Sequence, residues 1–218
     1  MPDDWARERR AGPAFAEASV MKRVFDLSCS VLGLLLLALP FAVVAVLIKL
    51  GDGGPILFRQ ERVGYEGRSF RMLKFRTMRP QAASEGPRLT VGADPRITGV
   101  GRFLRRYKLD ELPQLINVLR GEMSLVGPRP EVPEYVALYD AEQRAVLALM
   151  PGITDPASIH YRNESELLGG SDDPQRLYVE QIMPDKIRMN LAYARKATLL
   201  SDVGVILATL VPIGRSGS

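Results

Sequence analysis

The chain has 218 residues, 25% of them charged, with a formal net charge of +4. Its 29 basic and 25 acidic residues are mixed rather than blocked and aromatics make up 7%, so a basic, stacking nucleic-acid surface is excluded as the organising feature. An anionic lipid surface and phosphate-bearing ligands fit this balance better. The length suits one domain, or a domain with an anchor.

One cysteine, Cys29, and one histidine, His160, leave no room for an intrachain disulfide or a zinc cluster. No Ser/Cys nucleophile motif accompanies the histidine, and no P-loop or dinucleotide fingerprint is present.

Residues 1–20 mix charge with Ala, Gly and Pro. They read as a poorly ordered tail, with at most a helical turn over Ala14–Ala18. Lys22 and Arg23 open the next segment. From Leu27 to Ile48, 22 residues carry no charge, and as one straight helix they would rise about 33 Å, enough to cross a bilayer. Pro40 sits near the middle and removes a backbone donor. Basic residues flank both ends, so the positive-inside bias favours neither orientation. A kinked span and a bent helix that enters and leaves by one face both satisfy these facts.

Gly51-Asp52-Gly53-Gly54-Pro55 is a turn that closes this segment. Ile56–Val63 and Ser69–Met78, separated by Gly64-Tyr65-Glu66-Gly67, predict a β-hairpin. In the second strand Phe70, Met72 and Lys74 share one face. There Lys74 can pack its stem and present its ammonium to a phosphate, although an ordinary exposed lysine reads the same way. Pro80–Pro95 is a polar loop without periodicity.

The most informative stretch runs from Arg105-Arg106-Tyr107-Lys108 through Leu109-Asp110-Glu111-Leu112-Pro113-Gln114-Leu115. Leu112, Leu115, Ile116 and Leu119 recur at helical spacing, with Gly121 as the stop. Asp110 is placed as an N-cap, with Pro113 in the first turn. The helix start and the basic cluster then point at one spot, which suits a phosphate-rich anion and an ionised carboxylate able to act as nucleophile or metal ligand. A simple cap on a solvated charge run is the bland alternative.

Beyond it, Pro128 and Pro130 clamp the backbone on either side of Arg129 and preset one guanidinium for a bidentate phosphate grip. Glu134–Met150 predicts a helix ended by Pro151-Gly152. Ile153–Arg162 is a loop rich in hydrogen-bonding groups. Pro174–Met189 and Asn190–Lys196 predict helix, interrupted near Met183-Pro184. Val203–Ile213 is apolar and suits an interface or a core cover.

Taken together, Lys22-Arg23-Val24-Phe25-Asp26, Lys74-Phe75-Arg76-Thr77-Met78, Leu109–Leu115, Met123–Pro130 and Pro151–Thr154 resemble the bacterial sugar transferases. These are monotopic polyprenyl-phosphate phosphoglycosyl transferases, and the resemblance runs from about Lys22 to Leu210. It implies an α/β, mostly helical fold. A re-entrant helix–break–helix at 21–50, broken at Pro40, would carry a membrane-associated catalytic domain at 51–213 with a short hairpin and interfacial amphipathic helices; 1–20 and 214–218 would be tails. The lack of a long amino-terminal array of spans matches the short form.

The implied chemistry is transfer of a phosphosugar from a UDP-sugar to polyprenyl phosphate, with release of UMP. Asp110 would be the nucleophile and form a covalent phosphosugar intermediate. Glu111 would be its catalytic partner and the ligand of Mg²⁺, and Lys74, Arg105 and Arg129 would grip phosphate. The implied setting is the cytoplasmic face of the bacterial inner membrane, at the first membrane step of glycoconjugate assembly. Nucleic acid is not among the implied partners, and homo-oligomerisation stays open.

Two departures stand out. Leu39 precedes Pro40 where relatives often carry Ser, which removes a hydroxyl able to satisfy a freed carbonyl. Asp155-Pro156-Ala157-Ser158-Ile159 follows Thr154 where many relatives continue with a Gly-Ala-Gln-Val-like run; if that loop touches the sugar or nucleotide, substrate identity depends on it. The residues alone also accommodate a non-catalytic membrane adaptor or a Mg²⁺-dependent hydrolase.

Overall fold

The computed structural model describes residues 13–80 and 94–210. Helix α1 (Pro13–Leu36) and helix α2 (Ala38–Asp52) meet at Leu37, bent by 61°. The break precedes Pro40 by three residues, which places the proline in the first turn of α2, where a missing N–H is tolerated. Around it the ladder is kept by Leu37 N donating to Gly33 O at 2.9 Å and Phe41 N to Leu37 O at 2.8 Å. No single helix among the described residues is long and apolar enough to cross a membrane, whereas the bent pair is by length and composition. The pair leaves Leu32, Leu35, Leu36, Leu39, Val43 and Leu50 exposed. Helix α1 starts at Pro13, so 13–20 extend a helix instead of a loose tail; residues 1–12 and the tail at 214–218 lie outside the described residues.

Three polar links dock the start of α1 on the rest of the chain. Lys22 Nζ donates to Asp202 Oδ2 at 2.5 Å. Arg23 Nη1 donates to Val118 O at 2.8 Å, satisfying a carbonyl at a helix end. Buried Asp26 accepts from Ser124 Oγ at 2.7 Å and from Leu125 N at 3.3 Å.

Strands β1 (Leu57–Val63) and β2 (Ser69–Phe75) form the expected antiparallel hairpin, with Phe58 opposite Lys74. Helix α3 (Gly99–Arg106) follows, capped by the Thr98 side chain. Lys108 then takes a left-handed conformation (φ 57°) and turns the chain into a 3₁₀ turn, Leu109–Glu111. Helix α4 spans Gln114–Leu119 and ends before Gly121, whose φ of 80° suits glycine.

Strands β3 (Ser124–Val126) and β4 (Gly152–Thr154) pair in parallel, which periodicity did not reveal because each is three residues long. Gly127 and Gly152 pack backbone to backbone: a Cβ on Gly152 would lie 2.1 Å from Gly127 N.

The helix expected over Glu134–Met150 is not continuous. It is α5 (Pro133–Val136) and a separate 3₁₀ turn, Gln143–Ala148. Asp140 and Gln143 cap each other reciprocally, with Gln143 N to Asp140 Oδ1 at 2.7 Å and Asp140 N to Gln143 Oε1 at 3.1 Å. That box starts a new turn where one helix would otherwise run through.

Short helices α6 (Pro156–His160), α7 (Glu164–Gly169) and α8 (Pro174–Leu177) lead through a π-helical turn, Tyr178–Ile182, into α9 (Met183–Lys196) and α10 (Leu199–Leu210). The expected interruption near Met183 is this π turn. One core cluster joins Met72, Val118, Met123, Leu125 and Val205. Another joins Val63, Val136, Tyr178, Ile182 and Ile187, and the cleft lies between β2, the Leu109–Glu111 turn and this second cluster.

Candidate active site

Asp110 and Glu111 sit on the tight turn after Lys108, and the next helix holds that turn against the hairpin. Asn117 of α4 accepts from Leu73 N at 3.0 Å and donates to Arg71 O at 2.9 Å. One amide thus fixes the distance between the central helix and β2, the strand that carries Lys74. The sequence offered no signal for this role of Asn117.

The cations converge on Glu111. Lys74 Nζ donates to Glu111 Oε1 at 2.9 Å and Arg129 Nη1 to Oε2 at 3.0 Å, and Arg129 Nη2 also donates to Oε1. Burial pushes the Glu111 carboxyl up, but Arg129 and Lys74 outweigh it and hold the group well below the usual carboxylate range.

Asp110 stands differently. It is 7% exposed, and its Oδ1 has no hydrogen-bond partner among the described residues. Burial first, then the neighbouring Glu111 charge, push its carboxyl above the ordinary value of 3.8, against Lys74, Arg105 and Lys108. The N-cap expectation for Asp110 is therefore corrected: α4 begins at Gln114 with no side-chain cap, and Asp110 is left over for something else. The basic cluster does not hold this carboxyl below its ordinary value, because Lys74 and Arg129 pair directly with Glu111.

Arg105 donates through Nε to Thr77 Oγ1 at 2.8 Å, and it is close enough to Asp110 and Glu111 to affect both electrostatically. Arg106 does not join the site and lies exposed over the Tyr107 ring. Of the residues predicted for the site, Lys74, Arg105, Asp110, Glu111, Pro128 and Arg129 all line one cavity of about 960 Å³. Pro40 and Pro130 do not line it. The polar loop at 80–95 lies mostly outside the described residues.

The Pro-Arg-Pro clamp has a second support that the sequence did not disclose. Arg62 Nη1 donates to Pro130 O at 3.0 Å and to Glu131 Oε1 at 3.1 Å. Glu131 in turn accepts from Tyr178 Oη, and burial with this carboxylate raises the phenol well above its ordinary value. This chain of contacts fixes the loop that aims Arg129. A second cavity, apolar and about 860 Å³, lies between α2 and the hairpin and shares Pro55, Leu57, Phe58 and Phe75 with the first.

A buried carboxylate whose Oδ1 has no partner among the described residues thus stands beside a second one saturated by lysine and arginine, the pattern of a candidate anion-binding cleft. A family model described as bacterial sugar transferase matches residues 17–215, and the chain belongs to that family. It is 41% identical over 196 residues to an undecaprenyl-phosphate glucose phosphotransferase of Komagataeibacter xylinus, covering 87% of this chain and 35% of that one. To the exopolysaccharide production protein ExoY of Sinorhizobium fredii it is 35% identical over 206 residues, covering 88% and 84%. A UDP-glucose:undecaprenyl-phosphate glucose-1-phosphate transferase of Escherichia coli is 34% identical over 199 residues, covering 88% and 39%. The chain thus spans about a third of the first relative and most of the second.

Proposed function

We propose that the protein transfers a sugar phosphate from a UDP-sugar to polyprenyl phosphate, and that Asp110 is the nucleophile. The observation that carries this is the unpartnered Oδ1 of buried Asp110 beside the Lys74–Glu111–Arg129 cluster. The names of the relatives support the donor and acceptor classes.

In the first step an Asp110 oxygen forms a bond to the sugar-linked phosphorus, and the bond from that phosphorus to the bridging oxygen breaks. UMP leaves with the electron pair. In the second step a phosphate oxygen of the polyprenyl phosphate attacks the same phosphorus and the Asp110 carboxylate departs, so the lipid diphosphosugar carries the new bond. A carboxylate approaching a diphosphate meets like-charge repulsion. Lys74, Arg105 and Arg129 are the groups that offset it.

Glu111 fits Mg²⁺ in a particular way. Its Oε1 accepts twice and its Oε2 once, which leaves one lone pair free. Among the described residues no cluster of three His, Cys, Asp or Glu side chains is placed to cage a metal. That matches an ion bound through one or two carboxylates together with substrate phosphates. When bound, Mg²⁺ would neutralise developing charge on the diphosphate.

The exposed apolar faces of α1, α2 and α10 suit a lipid surface, with the bent pair re-entrant and the cleft at headgroup depth on the cytoplasmic side. The apolar cavity beside the cleft suits the first isoprene units of the acceptor. The test is UMP release from a panel of UDP-sugars with Mg²⁺ and polyprenyl phosphate. Activity retained by Asp110→Asn would refute the nucleophile. Accessibility labels at Val20 and Gly53 reporting opposite sides would refute re-entry.

A further inference from the structure

One part of the cleft lining, the Asn190 lobe, is formed by Asn190 and Lys186 of α9 with Glu164, Ser158 and Tyr178. The cation there is already spent: Lys186 pairs with Glu164 and lies over the Tyr178 ring, 5.6 Å from its centre. Asp155 is likewise engaged, accepting from Ser158 N at 2.9 Å. The one cation named in this lobe, Lys186, is therefore already paired.

What the lobe offers is an acceptor without a donor. Asn190 is 6% exposed, it lines the cavity, and its Oδ1 has no hydrogen-bond partner among the described residues. A buried amide oxygen left unpaired costs stability, so it persists where a ligand completes it. Asn190 sits inside α9, a helix of 14 residues, so its position is fixed before any ligand arrives. A neutral group that donates hydrogen bonds is the match for this lobe, and the hydroxyls of a hexose are such groups.

We propose that this lobe is the sugar subsite of the donor and that Asn190 Oδ1 accepts a hydrogen bond from a ring hydroxyl or its N–H substituent. The inference rests on the UDP-sugar reading above and deepens it. Asn190 then sets which sugar is accepted, because a site built around a hydrogen bond discriminates strongly against an analogue that lacks the donor.

The experiment compares the full-length parent protein with Asn190→Leu and Asn190→Ser, supplied with polyprenyl phosphate and Mg²⁺. For each variant, kcat/KM is measured for the accepted UDP-sugar, for its series of deoxy analogues, and alongside the inhibition constant of UDP. We expect kcat/KM to fall roughly 10- to 100-fold with UDP inhibition unchanged. One deoxy analogue should be used equally well by parent and variant. The thermal midpoint of Asn190→Leu should stay the same or rise, since an unpaired buried oxygen is removed, whereas a merely structural asparagine would lower it.

An equal loss of UDP inhibition would move Asn190 to the base and overturn the proposal. So would unchanged kcat/KM. Absence of turnover by the parent with every UDP-sugar would overturn the functional reading itself, and this inference with it.

Discussion

Two sets of side chains in the cleft are built to opposite rules. In one, Lys74, Glu111, Arg129, Arg62 and Glu131 form a network in which each charge meets an opposite one. In the other, Arg76 Nη1, Asp110 Oδ1 and Asn190 Oδ1 are buried and lack partners among the described residues, and all three residues line the cavity. The satisfied side of this comparison holds the loops in place. The unsatisfied side is where a ligand gains most, because burying these groups has already cost the protein part of its folding free energy.

The largest effect that this contrast predicts is at Asp110. Asp110→Asn should lower turnover about 10³-fold or more, as loss of a nucleophile does, while making the resting protein more stable. The sign follows from the carboxyl being raised above 3.8. Below pH 3.8 the aspartate is neutral in both folded and unfolded states, so the variant gains nothing. As pH rises, the unfolded chain ionises first and the folded parent loses stability, until its own raised pKa is passed. Thermal unfolding of both proteins across pH 3.5 to about 8 measures this, and a parent more stable than the variant at neutral pH would break the comparison.

Glu111→Gln should do the reverse. It leaves Lys74 and Arg129 buried without their shared counter-ion, and breaking such a cluster costs about 3–5 kcal/mol. Because this carboxyl is held well below 4.5, the parent keeps the full contribution above pH 4.5 and loses it as pH falls. Denaturant unfolding at pH 7 checks the size; a change under about 1 kcal/mol would mean that the cluster is solvated and the satisfied side is not a structural unit.

These two carboxylates also show how far the sequence could be read. Adjacent acids after a basic run, and Pro128 and Pro130 around Arg129, are local signals, and the structure brings Asp110, Glu111 and Arg129 to one cleft. The hairpin was legible because its strands are each seven residues with a glycine-bounded turn. The opposite fates of Asp110 and Glu111 were not legible, since they depend on which one Lys74 and Arg129 reach across the fold. Asn190 reads as an ordinary polar position on an amphipathic helix until its surroundings are known. The break at Asp140–Gln143 was missed because two side chains capping each other leave hydrophobic periodicity intact.

Arg62 sharpens the comparison at an intermediate scale. Arg62→Met removes the donor that holds Pro130 O and leaves Glu131 with Tyr178 and its own loop. The expected cost is about 1–3 kcal/mol. A misaimed Arg129 should lower kcat/KM for the donor by about tenfold, mostly through KM. A loss confined to kcat would instead place Arg62 at the reacting phosphate, on the unsatisfied side of the comparison.

The smallest effect tests whether the bent pair α1–α2, the proposed anchor, belongs to the structural side. Lys22 meets Asp202 at 2.5 Å, but its side chain is 33% exposed, and Asp202 keeps a second donor in Tyr193 Oη at 2.6 Å. Lys22→Met should therefore cost about 1 kcal/mol or less. Arg23 and Asp26 still dock α1 on the ends of α4 and β3, so activity per folded molecule should stay within about twofold, a difference under half a kcal/mol. A larger loss, measured below the unfolding range, would show that the tilt of the anchor is transmitted through Ser124 and Leu125 to the Pro-Arg-Pro loop that follows them. The anchor would then belong to the catalytic side of the molecule rather than to its scaffold.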